Sequence, residues 1–226
     1  MKKALLCATA AATLVSVGAT AHAQEGWYGA ARLGVVVEGI VDIDAPRNVN
    51  GSLDDRGSMN ADATYGVGLG YGFTNGIRLQ TDVNYANIGL DIRDAFIGAR
   101  PAGRVGPDGK GSVRSTTLMV NAIKDFNRGG TVMPYLGVGA GAIRADVRAA
   151  SLYFSGTGQP ANGFDDSDTT WAYNALAGLG FKLSERLTAD IGYTYTGADD
   201  LNFNAGVDGP YTGSFSEHAV TAGVRW

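Results

Sequence analysis

Residues 187–196 read Leu-Thr-Ala-Asp-Ile-Gly-Tyr-Thr-Tyr-Thr. Leu187, Ala189, Ile191, Tyr193 and Tyr195 fall on one side of an extended chain. Thr188, Asp190, Gly192, Thr194 and Thr196 fall on the other. Side chains in a strand alternate between two faces, so this decapeptide is a strand with one face in apolar surroundings. The pattern recurs. Ala63, Tyr65, Val67, Leu69, Tyr71 and Phe73 oppose Thr64, Gly66, Gly68, Gly70 and Gly72. Ile77, Leu79, Thr81, Val83 and Tyr85 oppose Arg78, Gln80, Asp82 and Asn84. Trp171, Tyr173, Ala175, Ala177, Leu179 and Phe181 oppose Asn174, Gly178, Gly180 and Lys182. Val220, Ala222, Val224 and Trp226 oppose Glu217, Thr221 and Arg225. Trp27 to Val37, Thr116 to Phe126 and Met133 to Ala142 are less regular strands and bring the expected number to eight.

The connections decide what kind of barrel these strands form. Short links at Thr74-Asn75-Gly76, Asn127 to Gly130 and Ser184-Glu185-Arg186 alternate with long ones. The long links run over Glu38 to Asn60, Asp91 to Ser112, Arg144 to Asp168 and Gly197 to Gly213. That layout predicts an all-β, eight-stranded, up-and-down antiparallel transmembrane barrel, with short periplasmic turns and four long extracellular loops. Strands of this length match a tilted bilayer crossing. A soluble ligand-carrying barrel would turn its apolar face inward, yet here Arg78, Asp82, Lys182, Asp190 and Arg225 share the inner face. With the N-terminus periplasmic, Trp27, Phe73, Phe126, Phe181 and Trp226 lie at the short-turn ends. Tyr85, Trp171, Tyr173, Tyr193 and Tyr195 lie toward the long-loop ends. Two aromatic levels fit the two interfaces of a membrane.

Composition agrees with this reading and excludes others. The chain has 226 residues, and its 34 glycines are roughly twice ordinary usage. A net charge of −4 lacks the basic stripe of a nucleic-acid binder. One Cys and two His exclude a disulfide scaffold and a Cys/His zinc site. Met1-Lys2-Lys3, the small apolar run Ala4 to Ala21 and Ala21-His22-Ala23 form a cleavable signal peptide over residues 1–23. The barrel domain is then expected over 24–226, free of cysteine, with no cofactor and with the Gram-negative outer membrane as its destination.

Particular stretches carry a family resemblance. They are Leu118 to Ala122 with Asp125-Phe126, Pro134 to Gly141, Ala172 to Gly180 and the closing Ala222-Gly223-Val224-Arg225-Trp226. Together they resemble the small eight-stranded outer-membrane β-barrel proteins of Gram-negative bacteria, especially the alphaproteobacterial surface-antigen and porin-like group. The resemblance covers the whole mature chain. It implies folding by the barrel-assembly machinery, which reads a last strand ending in an aromatic residue. Val224 and Trp226 match that signal. Fold does not by itself imply function, so the role must be argued from sites.

Several motifs bear on chemistry. Gly66, Gly68, Gly70 and Gly72, like Gly137, Gly139 and Gly141, are spaced by two. They make room inside a narrow barrel rather than a phosphate loop, which needs a strand, a turn and a helix. Asp42 and Asp44, Asp54-Asp55 and Asp165-Asp166 with Asp168 read as solvated acidic segments without calcium-loop spacing. Arg93, Arg100, Arg104, Lys110 and Arg114 make the second long connection basic, suited to lipopolysaccharide phosphates. Ser216 and His218 share a face, but Glu217 points the other way, so a catalytic triad is not expected. The inner face collects Arg32, Arg78, Lys182 and Arg225 against Asp82, Asp125, Asp190 and Glu217, which predicts paired charge that plugs the lumen: strand adjacency sets Lys182 and Arg225 beside Asp190 near the periplasmic end, and Arg78 opposite Asp125. The functional expectation is a non-enzymatic barrel with a structural or surface-interaction role. Its expected partners are outer-membrane lipid, lipopolysaccharide and an extracellular ligand the sequence does not name. A narrow pore or conduit for small molecules is the alternative, and a lipid A-modifying enzyme ranks third.

Overall fold

The computed structural model describes residues 25–44, 58–59, 62–92, 109–150, 152–153, 160–161, 164–204 and 210–226. Eight long strands form the wall: β1 Gly26–Asp44, β2 Asp62–Gly72, β3 Ile77–Ile92, β4 Gly109–Asp125, β5 Val132–Ala150, β6 Phe164–Lys182, β7 Thr188–Asn204 and β8 Pro210–Arg225. Each pairs antiparallel with its sequence neighbour, and β1 pairs with β8. The sheet is therefore closed, which removes the unpaired edge that a bilayer could not solvate. Trp226 completes the seam by exchanging backbone hydrogen bonds of 3.0 Å with Gly29. Among the described residues no helix is long and apolar enough to cross a membrane.

The three short turns stand where their sequences place them. Gly76, at φ +82°, closes the β2–β3 turn with its amide on Phe73 O at 3.1 Å, a conformation that glycine adopts without strain. Asn75 Oδ1 caps this turn by accepting from Ile77 N at 3.0 Å. Asn127, at φ 53°, opens the β4–β5 turn. Leu183 N donates to Leu187 O at 2.9 Å in the β6–β7 turn.

The strands run into all four of the long connections expected from sequence, and two of those are about half wall or more. β5 runs to Ala150 and β6 begins at Phe164, so about half of the expected Arg144–Asp168 loop is strand. β7 likewise continues to Asn204, β3 to Ile92 and β1 to Asp44. The physical reason is an inversion of polarity along each strand. In the lower wall Leu136 and Val138 are exposed while Gly137, Gly139 and Gly141 face in. From Ile143 upward the apolar residues change sides: Ile143, Ala145 and Val147 are buried, and Arg144 and Arg148 are exposed. β4 switches between buried Val113 and exposed Leu118, and β8 between buried Phe215 and exposed Val220. Below the switch the barrel presents its apolar face to lipid. Above it, water surrounds the wall and the apolar face must turn inward.

Two irregularities accompany the switch. The β1–β8 register shifts between Val36 and Glu38, leaving Val37 and Glu38 both exposed. The β7–β8 register shifts between Ala198 and Leu201, with Asp200 at φ 59°. A bulge re-aims the residues beyond it, and in β7 it turns Leu201 and Phe203 into the interior, each 0% exposed.

The lipid-facing assignment has a direct test. Val67 is 50% exposed, and Ala177 lies on the same outward face as Leu179. Val67→Arg or Ala177→Arg should each destabilise the barrel by about 2–4 kcal/mol, read as the urea midpoint of protein refolded in lipid vesicles. Unchanged midpoints in both would mean that the wall is turned inside out.

Candidate functional site

The lower lumen is filled by one connected polar chain. Arg225 grips Asp190 with Nε–Oδ2 at 2.7 Å and Nη2–Oδ1 at 2.9 Å. Its Nη1 lies 3.8 Å from Asp125 Oδ2. Asp125 in turn accepts from Arg78 Nε at 2.6 Å and Nη2 at 2.9 Å. Arg78 Nη1 donates to Tyr28 Oη at 3.0 Å, and Tyr28 Oη donates to Gln80 Oε1 at 2.6 Å. Gln80 Nε2 donates to both Asp82 oxygens, at 2.7 and 2.9 Å, and Asn121 Nδ2 donates to Asp82 Oδ2 at 2.6 Å. Arg32 closes the chain on Asp82. Arg78 also lies between two rings, 5.5 Å from the Tyr28 centroid and 5.6 Å from that of Tyr135. Paired forks of this kind satisfy several donors of each guanidinium, which is what makes its burial tolerable.

The inward glycines supply the room. Gly70 sits under the Tyr28 ring, and Gly178 and Gly192 lie against the Tyr135 hydroxyl. A side chain at Gly180 would meet Arg225 Nη2 at 2.7 Å and Asp190 Oδ1 at 3.0 Å. Near Arg32, Arg78 and Asp190 about 20 Å³ of space is left, and about 50 Å³ beyond it among Thr64, Asn84, Thr117, Asn174 and Thr196. Spaces of this size hold one or a few waters each. Higher still, Val113, Ile143, Val147, Leu201, Phe203 and Phe215 pack as an apolar cluster on the inner faces of β4, β5, β7 and β8.

The structure brings together Arg32 with Asp82, Arg78 with Asp125, and Arg225 with Asp190. Two residues of the expected set behave differently. Lys182 ends β6, where the wall itself ends, and its side chain is exposed with no ion pair among the described residues. Asp190, its expected partner, is already held by Arg225 from both oxygens. Glu217 does face the lumen, but its contact is a hydrogen bond from Ser115 Oγ at 3.4 Å rather than a cation. It sits eight residues from Arg225 along β8, well above the arginine level. Tyr28, Gln80, Asn121 and Tyr135 are network members that charge counting overlooks. Their inward parity is the signal that could have found them.

On the outer surface the aromatics form two levels. Trp27, Tyr71 and Phe73 touch near the short turns, at 5.5 and 5.0 Å between centroids. Tyr173, Tyr195 and His218 cluster toward the other end, at 6.3 and 4.9 Å. His218 Nδ1 is hydrogen-bonded to the Tyr193 hydroxyl, and no hydrogen bond joins Ser216 to His218. Val224 and Trp226 occupy outward positions at the close of β8. Of the basic residues expected to meet lipopolysaccharide, Arg114 is exposed on β4, and Lys110 lies on the same strand. Arg93, Arg100 and Arg104 lie outside the described residues, as do Asp54 and Asp55. Asp42 and Asp44 belong to β1, and Asp165, Asp166 and Asp168 to β6. Among the described residues no cluster of His, Cys, Asp and Glu could hold a metal ion.

Comparison with known proteins agrees with this geometry. A family model described as outer membrane protein beta-barrel domain matches residues 7–226. An uncharacterised protein of Brucella abortus is 29% identical over 204 residues, spanning 76% of this chain and 70% of its own. The crystal structure of outer membrane protein OprG from Pseudomonas aeruginosa superposes with a TM-score of 0.53 at 13% identity, covering 90% of this chain and 97% of that one. Outer membrane protein AlkL, solved by solid-state NMR in DMPC bilayers, gives 0.51 at 16% identity and covers 93% of each chain. At these identities the likeness to the solved structures is one of fold.

Proposed function

This chain belongs to the outer membrane protein β-barrel domain family and is a protein of the cell outer membrane, and from that premise we propose that it serves as a closed structural and surface-interaction barrel rather than as a pore or an enzyme. The observation that carries the reading is the double closure of the lumen. A connected chain of ion pairs and hydrogen bonds fills the lower half, and an apolar cluster packs inside the upper end. Ion conduction needs a hydrated path, and an eight-stranded barrel is narrow enough for side chains to fill it. The wall projecting beyond the lipid, with the connections above it, is the part available to lipopolysaccharide and to an extracellular partner. A signal peptide over residues 1–23 and delivery by the barrel-assembly machinery through Val224 and Trp226 complete the proposal. The Tyr193 hydroxyl on His218 Nδ1 supports a non-catalytic role, since an orienting carboxylate would use that nitrogen.

Planar bilayer recording of the refolded mature protein tests the central point. The expected result is no steady single-channel conductance. A large, stable conductance would overturn the closed-lumen reading and favour a pore. The purified protein should also begin at Gln24 by intact mass, and should migrate differently in SDS before and after boiling, because a closed sheet resists the detergent. A mass that retains residues 1–23 would remove the cleavage proposal.

A further inference from the structure

The outward face of β4, β5 and β6 changes character just above the lipid-facing band. On β4 the exposed Val120 and Leu118 give way to Thr116 and Arg114. On β5 Val138 and Ala140 give way to Arg144, Asp146 and Arg148, and on β6 Trp171, 80% exposed, gives way to Thr169 and Ser167. The register stacks these residues in rows. Nearest the membrane, Thr116, Arg144 and Thr169 stand side by side. The next row holds Arg114, Asp146 and Ser167, and the one above it Ser112, Arg148 and Asp165. The membrane-proximal row thus offers donors and no carboxylate, and the carboxylates stand farther from the lipid.

The two upper carboxylates differ in how firmly they are held. Arg148 Nε is 3.0 Å from Asp165 Oδ2, a pair complete in itself. Arg144 is bound more loosely. Its Nε lies 3.5 Å from Asp146 Oδ1, its Nη2 donates to Ser167 Oγ at 2.9 Å, and its side chain is 58% exposed. Arg114 is exposed and has no ion pair among the described residues. The unpaired Arg114 guanidinium and the loosely held one of Arg144, whose Nη2 also lies 3.5 Å from Asp146 Oδ1, match with the Thr116 and Thr169 hydroxyls the three acceptor oxygens of a phosphate monoester. Trp171 marks the level as interfacial, where an outer-leaflet headgroup lies.

We propose that Arg114 and Arg144, with Thr116 and Thr169, bind a phosphate of a phosphorylated glycolipid in the outer leaflet. This deepens, and rests on, the surface-interaction reading above. Asp146 faces Arg114 across the register and limits the affinity by like-charge repulsion with the phosphate. Arg148, neutralised by Asp165, stays outside the site.

The test titrates mature protein, refolded in phosphatidylcholine vesicles, with bisphosphorylated lipid A, dephosphorylated lipid A or inorganic phosphate. The shift in thermal unfolding reports binding. Wild type should respond to bisphosphorylated lipid A alone, and the Arg114→Ala/Arg144→Ala double variant should bind it at least about tenfold more weakly. Arg148→Ala and the periplasmic Arg186→Ala should bind as wild type does, and Asp146→Asn should bind more tightly. Equal binding by wild type and the double variant overturns the site, as does an equal response to dephosphorylated lipid A or to inorganic phosphate. Should the double variant fail to fold, Asp146→Asn decides: tighter binding supports the site and unchanged binding overturns it. Failure of the underlying surface-interaction reading is distinguishable, because it would show as conductance by the wild type.

Discussion

Asp125→Ala should lower the stability of the refolded barrel by about 3–5 kcal/mol, the largest loss expected from a single charge substitution in the lumen. Asp125 takes both forks of Arg78 and lies 3.8 Å from Arg225, so one carboxylate holds two guanidinium groups in place. Arg78 is 4% exposed, and without Asp125 its remaining contacts are the Tyr28 hydroxyl, Gln80 and two aromatic rings. The loss therefore measures a stranded charge more than the net contribution of the pair. Replacing both partners, as Arg78→Met with Asp125→Leu, should recover much of it, because apolar side chains of similar size need no partner. Asp199→Ala, at an exposed position of β7, should stay within about 0.5 kcal/mol of wild type. Urea midpoints in vesicles, followed by tryptophan fluorescence, give all of these values. Equal effects of Asp125→Ala and Asp199→Ala would show a lumen solvated enough to screen its charges.

Phe203→Ala should cost a similar amount, about 3–5 kcal/mol, for a different reason. Phe203 is 0% exposed and packs in the cluster with Leu201, Phe215, Ile143 and Val147. Truncation removes apolar contact and leaves a cavity that strands tied into a closed ladder cannot collapse to fill. The single variant should still fail to conduct, since the ion-pair chain below is intact. A loss under about 1 kcal/mol would show that the outer end is not a packed core. The two substitutions probe the two halves of the lumen, where different physics operates: charge satisfaction below, apolar packing above.

The upper half is written in the chain as a reversal of the apolar face. Ile143, Ala145 and Val147 alternate as regularly as Leu136 and Val138 do, on the opposite parity. A search for outward apolar residues stops at Ala142. A search for a change of phase would have continued β5 to Ala150 and found the outer boundary of the lipid band. Arg144 and Arg148, counted as loop residues, would then have appeared on the wall beside Arg114.

By itself the sequence determined the number of strands, the short turns and which residues of the lower wall meet lipid. These are local properties: side-chain parity follows from the geometry of one extended chain, and the turns follow from a few residues such as Asn75 and Gly76. Strand adjacency already set Arg78 against Asp125 and Asp190 beside Arg225, and the tertiary structure decided the rest. Arg78 and Asp82 are four residues apart on the same strand, yet Arg78 goes to Asp125 on β4 and Asp82 to Arg32 on β1. Lys182 and Glu217 carry the right parity for the lumen, but one stands past its end and the other above the arginines. Parity says that a side chain points inward. The height at which it meets its neighbours is set by the stagger of eight tilted strands closing into a ring, and no single strand contains that information.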